Sequence, residues 1–288
     1  MTEGEKAEDA PISKASNRGV GHSGSILGNH VETDKMLLEG TRSAPGFRGD
    51  VIFQPYVSRL DAELFKRGEE VCASKAIAVG PEGAALDKGK CIMCGMCQQV
   101  APQAFKMVNS FAVPVTTRRD LLVAQMPGPG EGGPSQTVDE IGARLSHRIK
   151  KLLGRSLAIR EVDAGSCNGC EVEVSALNNP VYDIERFGIH FVASPRHADV
   201  LLVTGVASRN LELALRRTFE ATPDPKVVVA VGACACSGGI FGDTYATSGG
   251  IGKVVPVDVF VPGCPPRPEA LLYGLLLAVD RVGPAASA

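Results

Sequence analysis

Three cysteines two residues apart, Cys91, Cys94 and Cys97 in CIMCGMCQQVAP, limit what this chain can fold into more than any other stretch of it. A turn that brings three thiols to one side at that interval suits a soft metal and has to wrap around what it holds. A fourth cysteine, Cys72 in VCASKAI, stands upstream. Two other readings apply to such a set: a zinc site, or unrelated buried thiols. Zinc knuckles and ribbons pair one C-x2-C with a distant second pair. Three thiolates at x2 intervals instead reach successive corners of a cubane, so the spacing favours an iron-sulfur cluster over zinc.

The segment around these cysteines, from about residue 60 to 125, resembles a bacterial-type ferredoxin. AIAVGPEGAALDKGKCIMCGMC followed by PQAFKM reads as its strand, loop and Cys-rich turn. In two-cluster members each run C-x2-C-x2-C-x3-C-P gives three thiolates to one cluster and its fourth to the other. Here the second run keeps its first three and has Ala101 before Pro102. The first run keeps only its fourth, Cys72, with Ala62, Phe65 and Gly68 at the three earlier offsets. Cross-ligation leaves one 4Fe-4S cluster with Cys72, Cys91, Cys94 and Cys97, and the other with no ligand.

At 288 residues the prior is about two domains, and an apolar share of 44% suffices for their cores. The opening residues, MTEGEKAEDAPISKAS, are acidic and polar, so no signal peptide is expected, and no twin-arginine pattern stands near the start. Nine cysteines in such a chain point to a reducing compartment and metal ligation rather than disulfides. The apolar run ALLYGLLLAV is too short for a bilayer, which needs about 20 residues. A net charge of -2 gives no sign of nucleic acid binding.

Four regions follow: a flexible arm over 1-50, a ferredoxin-like α+β domain over 51-125, a Pro/Gly-rich linker over 126-137, and an α/β domain over 138-288. The last opens on VDEIGARLSHRIKKLLGR, whose Ile141, Leu145, Ile149 and Leu152 have helical spacing opposite a basic face. That face is read as solvated, with docking to a partner or membrane surface as the alternative. LAIREVDA, ADVLLVTG, KVVVAVG and VDVFVPG then alternate with helical stretches, which implies a flavodoxin-like parallel sheet covered on both faces. In such sheets ligands gather outside the carboxyl ends of the strands.

The other cysteines sit at those ends. Cys167 and Cys170 lie in DAGSCNGCEVEV, Cys234 in GACACSGG and Cys264 in PGCPPRPEALL. Three strand-to-helix turns supply four thiolates to one place, the pattern of a second 4Fe-4S cluster. Cys236 is left over. It is read as an inert side chain, or as a substitute for Cys234, which is preferred because it directly ends its strand.

SCNGCEVEVSALNNPVYDIERFGIHFVASPRHADVLLVTG, GACACSGGIFGDTY and VPVDVFVPGCPPRPEALLYG, over about residues 156 to 282, resemble the small subunits of membrane-associated NiFe hydrogenases and their relative, the cluster-bearing B subunit of complex I. The complex I branch uses two adjacent cysteines first; Cys167 and Cys170 are separated by two residues, as in the group-four, formate hydrogenlyase type. The resemblance implies an oxidoreductase subunit that activates no hydrogen itself. It would hold the proximal cluster with Cys167, Cys170, Cys234 and Cys264 against the NiFe large subunit. Other iron-sulfur and membrane subunits would complete the complex, cytoplasmic and peripheral on the inner face of the cell membrane. The fused ferredoxin-like domain departs from the simplest members and adds a second cluster. Two other classes stay open: an iron-sulfur subunit of a complex I-like assembly without NiFe chemistry, and a free-standing two-cluster carrier or sensor.

Glu171, next to Cys170, is either an acid favourably placed at a helix start, worth about 0.3 to 1 kcal/mol, or a proton-handling carboxylate, a role the resemblance suggests. His190 and His197 read as structural histidines. Arg267 could donate to the cluster or to a partner chain, or form an ordinary surface salt bridge, and neither it nor Glu269 is taken as a site.

Overall fold

The computed structural model describes residues 48-54, 62-81, 83-124 and 137-282. The expected arm up to residue 47, and all of the expected linker except Thr137, lie outside the described residues.

The first unit is antiparallel. Strand β1 (Asp50–Phe53) is followed by helix α1 (Ala62–Val71), the hairpin β2 (Ile77–Gly80) and β3 (Gly83–Asp87), the short helix α2 (Met96–Val100), β4 (Phe105–Val108) and β5 (Leu122–Ala124). β1 pairs with β4, Asp50 opposite Val108, while β3 pairs with both β2 and β5. Phe53, Phe65 and Phe105 form its core, with ring centroids 5.6 to 5.8 Å apart. Gly68 is required there, because a Cβ on it would lie 2.3 Å from the Phe105 ring. Phe65 and Gly68 occupy two of the offsets where a two-cluster ferredoxin carries ligands. An aromatic core fills the space beside them.

The second unit begins with α3 (Val138–Leu153). Thr137 Oγ1 accepts from Glu140 N at 3.3 Å and Glu140 Oε2 accepts from Thr137 N at 2.9 Å, a capping box worth about 1 kcal/mol. Gly154 ends the helix at φ 64°. Ile141, Leu145 and Ile149 are buried as their spacing predicts, each worth about 1.5 to 3 kcal/mol. After it come β6 (Leu157–Asp163), α4 (Gly169–Ala176), β7 (Ile189–Phe191), β8 (Val200–Thr204), α5 (Arg209–Ala221), β9 (Val227–Val231), α6 (Gly232–Ser237), β10 (Val259–Val261) and α7 (Pro268–Val282).

The five strands are all parallel, in the order β7-β6-β8-β9-β10. Counted within the unit this is 2-1-3-4-5, the flavodoxin-like order. Every residue of β8 and β9 is buried, and the strand period divides them between two cores. Val200, Leu202, Val227 and Val229 pack with α3 and α7, and Leu201, Val203, Val228 and Ala230 with Leu215 of α5. ALLYGLLLAV is the buried body of α7, a core helix. Among the described residues no helix is long and apolar enough to cross a membrane.

Residues 111-121 join the units. Val115 and Phe260 exchange backbone hydrogen bonds at 3.0 and 2.8 Å against β10. Leu121 is fully buried in the core that holds Leu201, Val203 and Phe260.

Candidate functional site

Cys91 and Cys94 lie on the turn between β3 and α2, and Cys97 in the first turn of α2. Met93 at φ 54° and Gly95 at φ 78° are both left-handed, which lets so few residues aim three side chains inward. Cys72 follows α1, and the Ala76 N-H donates to its Sγ at 3.2 Å. All four cysteines line one cavity, walled by Val51, Ile77 and Leu86. Burial pushes the Cys91 thiol up to about 12 and Cys97 up to about 11, with neighbouring cysteines adding to both shifts. Four soft donors around an apolar volume fit a group that brings its own positive charge and wants little water. They fit a thiolate-held cluster.

The second set stands where the strands of the parallel sheet end. Cys167 and Cys170 follow β6, Cys234 lies on α6 directly after β9, and Cys264 follows β10. Asn168 at φ 68° turns the chain between the first two. Gly232, at φ 84°, gives Cys170 its room, since a Cβ there would lie 2.6 Å from its Sγ. The thiols sense one another. Burial first, then Glu171 and Cys234, Cys264 and Cys167, raise Cys170; burial, then Cys264 and Cys167, push Cys234 up to about 11. Cys264 is raised by burial, then by Cys167 and by Cys94 of the first set. The loops that carry the two sets adjoin, with Ser237 Oγ donating to the Gly89 carbonyl at 2.7 Å. Among the described residues no group of three or more His, Cys, Asp or Glu could hold a single metal ion.

Cys236 turns away from this set. Its thiol donates toward the carbonyls of Ala230 and Val261, each at 3.7 Å, inside the core. Glu171 is in the first turn of α4, and both its carboxylate oxygens are buried without a hydrogen-bond partner among the described residues. Sequence reasoning missed its neighbour Glu161 on β6, raised by burial and then by the charge of Glu171. An acid at an inward-facing strand position was the available signal. It also passed over Glu173, raised by burial and then by Glu269 against the opposing pull of Arg267. Arg267 and Glu269 pair within the chain at 3.0 Å. His190, on β7, and His197 line a separate pocket with Arg155, Arg196 and Asp199 at the amino ends of the strands, across the sheet from the cysteines. Helix α7 starts at Pro268, so Pro265 and Pro266 belong to the Cys264 loop.

Cys167 and Cys264 are exposed. Large apolar side chains are also exposed on α4 and in the segment after α6: Val172 at 58%, Phe241 at 59% and Tyr245 at 97% exposure.

Residues 167-278 match the family described as NADH ubiquinone oxidoreductase, 20 Kd subunit. Over 143 residues the chain is 50% identical to the probable membrane-bound hydrogenase subunit mbhJ of Pyrococcus furiosus, covering 48% of this chain and 85% of that one. The chain belongs to this family. It is also 50% identical over 143 residues to formate hydrogenlyase subunit 7 of Escherichia coli, covering 50% of this chain. It spans little more than half of that relative's length, 56%. The B subunit of the NADH-quinone oxidoreductase of Geotalea daltonii is 49% identical over 114 residues, 40% of this chain and 66% of that one. Members of the 20 Kd family are thus oxidoreductase subunits, of hydrogenases and of quinone oxidoreductases, and this chain is an oxidoreductase subunit with them. All three matches are short of the whole chain, and the family match begins at Cys167.

Proposed function

We propose that this chain is the electron-transfer small subunit of a membrane-associated NiFe hydrogenase complex. Cys72, Cys91, Cys94 and Cys97 hold one 4Fe-4S cluster, and Cys167, Cys170, Cys234 and Cys264 hold the proximal one. When bound, such clusters accept and give up single electrons with little change in geometry. The observation that carries the reading is the pairing of two four-cysteine sets, one around a single cavity and the other at the carboxyl ends of three strands, with the loop before Cys91 tied to the Cys234 helix by the 2.7 Å hydrogen bond from Ser237 Oγ to the Gly89 carbonyl. Electrons have a route through one polypeptide from a partner's active site toward further carriers.

The chain's own residues do the rest. Burial limits water at Cys97, and the Ala76 N-H supplies a hydrogen bond to Cys72 Sγ. Exposed Cys167 and Cys264 mark the face offered to the large subunit that carries the NiFe site. Glu171, buried without a partner beside Cys170, holds or passes a proton at that face. Other iron-sulfur and membrane subunits anchor the complex, so the chain sits peripherally on the inner, cytoplasmic face of the cell membrane.

A second reading, an iron-sulfur subunit of a complex I-like oxidoreductase without NiFe chemistry, is favoured by the 49% identity to the quinone oxidoreductase relative. Anaerobic purification of the native complex through a tag on this chain, followed by metal analysis, separates the two. Nickel in stoichiometric amount with iron for both clusters supports the hydrogenase. Iron without nickel supports the complex I-like assembly.

A further inference from the structure

Arg118 bridges the loops that carry the two cysteine sets. It lies on the segment between the units, fixed at its base by the Val115–Phe260 pairing. Its Nη2 donates to Asp87 Oδ2 at 2.6 Å and its Nε to the Cys236 carbonyl at 3.1 Å. Asp87 organises the first set's turn: its Oδ1 accepts from Gly89 N at 3.0 Å, and its carbonyl from Lys90 N and Cys91 N at 3.0 and 3.2 Å. Cys236 belongs to α6, the helix that carries Cys234. Ser237, the next residue, closes the bridge from the other side by donating through Oγ to the Gly89 carbonyl at 2.7 Å. Contact is tight, for a Cβ on Gly89 would lie 2.8 Å from Leu121 and 3.1 Å from the Arg118 guanidinium carbon.

An exposed ion pair at a junction between units would contribute little and fix nothing. This one differs in two respects. The Asp87 side chain is only 10% exposed. The guanidinium is also used as a fork, one arm on a carboxylate and one on a carbonyl, a geometry that a lysine ammonium, a point donor, does not reproduce. Neither Arg118 nor Ser237 belongs to either cysteine set. What they hold constant is the distance and orientation of the Cys91 turn relative to the Cys234 helix.

We propose that Arg118 is a positioning residue for electron exchange between the two centres, with Ser237 as its second tie. Tunnelling rates and spin-spin interaction both fall steeply with separation. A junction free to rock would weaken both without costing either centre its ligands. The inference rests on the reading that both sets hold clusters.

The test uses the full chain in its complex, reduced anaerobically, with iron content and electron paramagnetic resonance as readouts. In the unaltered protein the doubly reduced state is expected to show interaction splitting and relaxation enhancement between two clusters. In Arg118→Ala the iron and sulfide are expected to stay unchanged while the splitting is lost, and Arg118→Lys is expected to restore it only in part. Full iron with an unchanged interaction spectrum in Arg118→Ala would overturn the proposal. If Arg118→Ala fails to retain iron, Ser237→Ala is read instead: weakened coupling supports the proposal and unchanged coupling overturns it. Failure of the underlying reading shows elsewhere, as an unaltered protein with iron for one cluster or none.

Discussion

Cys234 and Cys236 share one turn of α6 and point opposite ways. The Cys234 Sγ lies 3.1 Å from where a Cβ on Gly239 would stand, in electrostatic contact with Cys167 and Cys264, whereas Cys236 is buried against the Ala230 and Val261 carbonyls. The sulfurs are chemically identical. Direction alone separates the proposed ligand Cys234 from the core residue Cys236.

Replacing each in turn reads that difference. Cys234→Ala is expected to lower the iron of the purified chain by about half, the share of one cluster of two. Cys236→Ala is expected to leave iron unchanged and to cost roughly 1 kcal/mol through lost core packing. Iron analysis and a urea titration check both. Loss of iron in Cys236→Ala with retention in Cys234→Ala would exchange their roles.

Gly232 is expected to be intolerant of any side chain. Its φ of 84° costs an alanine about 1 to 2 kcal/mol, and the added Cβ would meet Cys170 Sγ at 2.6 Å. Gly232→Ala should lower the melting temperature and deplete the cluster held by Cys170, while leaving the signal of the Cys91 set. Equal loss of both signals would mean that the glycine serves general folding only.

The buried thiols give the cluster-free chain an alkaline weakness. Folding raises Cys91 to about 12 and Cys97 and Cys234 to about 11, from an unfolded value near about 8.5. The folded state therefore keeps protons that the unfolded chain has released. The stability this provides is complete below about pH 8.5 and is lost as pH rises through the folded values. Urea midpoints of anaerobic apoprotein should fall between about pH 8 and about pH 10, and those of the loaded protein, whose thiols are already deprotonated, should fall less. Parallel pH dependence in the two forms would count against ligation by these cysteines.

At the opposite edge of the sheet, Asp199 accepts from Arg155 at 2.6 and 2.8 Å and from Ala158 N at 3.0 Å, tying the start of β8 to β6. Asp199→Ala should destabilise the domain by roughly 1 to 3 kcal/mol with no change in either cluster's spectrum. A spectral change would show that the amino edge communicates with the carboxyl edge.

The parts of this fold legible in the sequence are those with a strong local signal. β6, β8, β9 and β10 announce themselves as apolar runs ending in Gly or Ala, and the cysteines stand one turn beyond three of them. β7 is three residues at a sheet edge, with His190 in its middle, and no period can be read over so short a span. The Arg118 bridge was out of reach for a different reason. Its partners are 31 residues behind and 118 ahead, and only the docking of two units makes them neighbours. Glu161 sits in a strand whose apolar beginning hides an acid turned toward another acid. Such pairing across elements leaves no periodic trace.

The claim on which everything else depends is that one polypeptide carries two complete four-cysteine centres. Iron and acid-labile sulfide per chain, measured on anaerobically purified protein beside a Cys91→Ser and a Cys170→Ser variant, test it most directly. The expected result is about eight of each in the unaltered chain and about four in either variant, with a different spectrum remaining in each. About four in the unaltered chain, or zinc in place of iron, would contradict it.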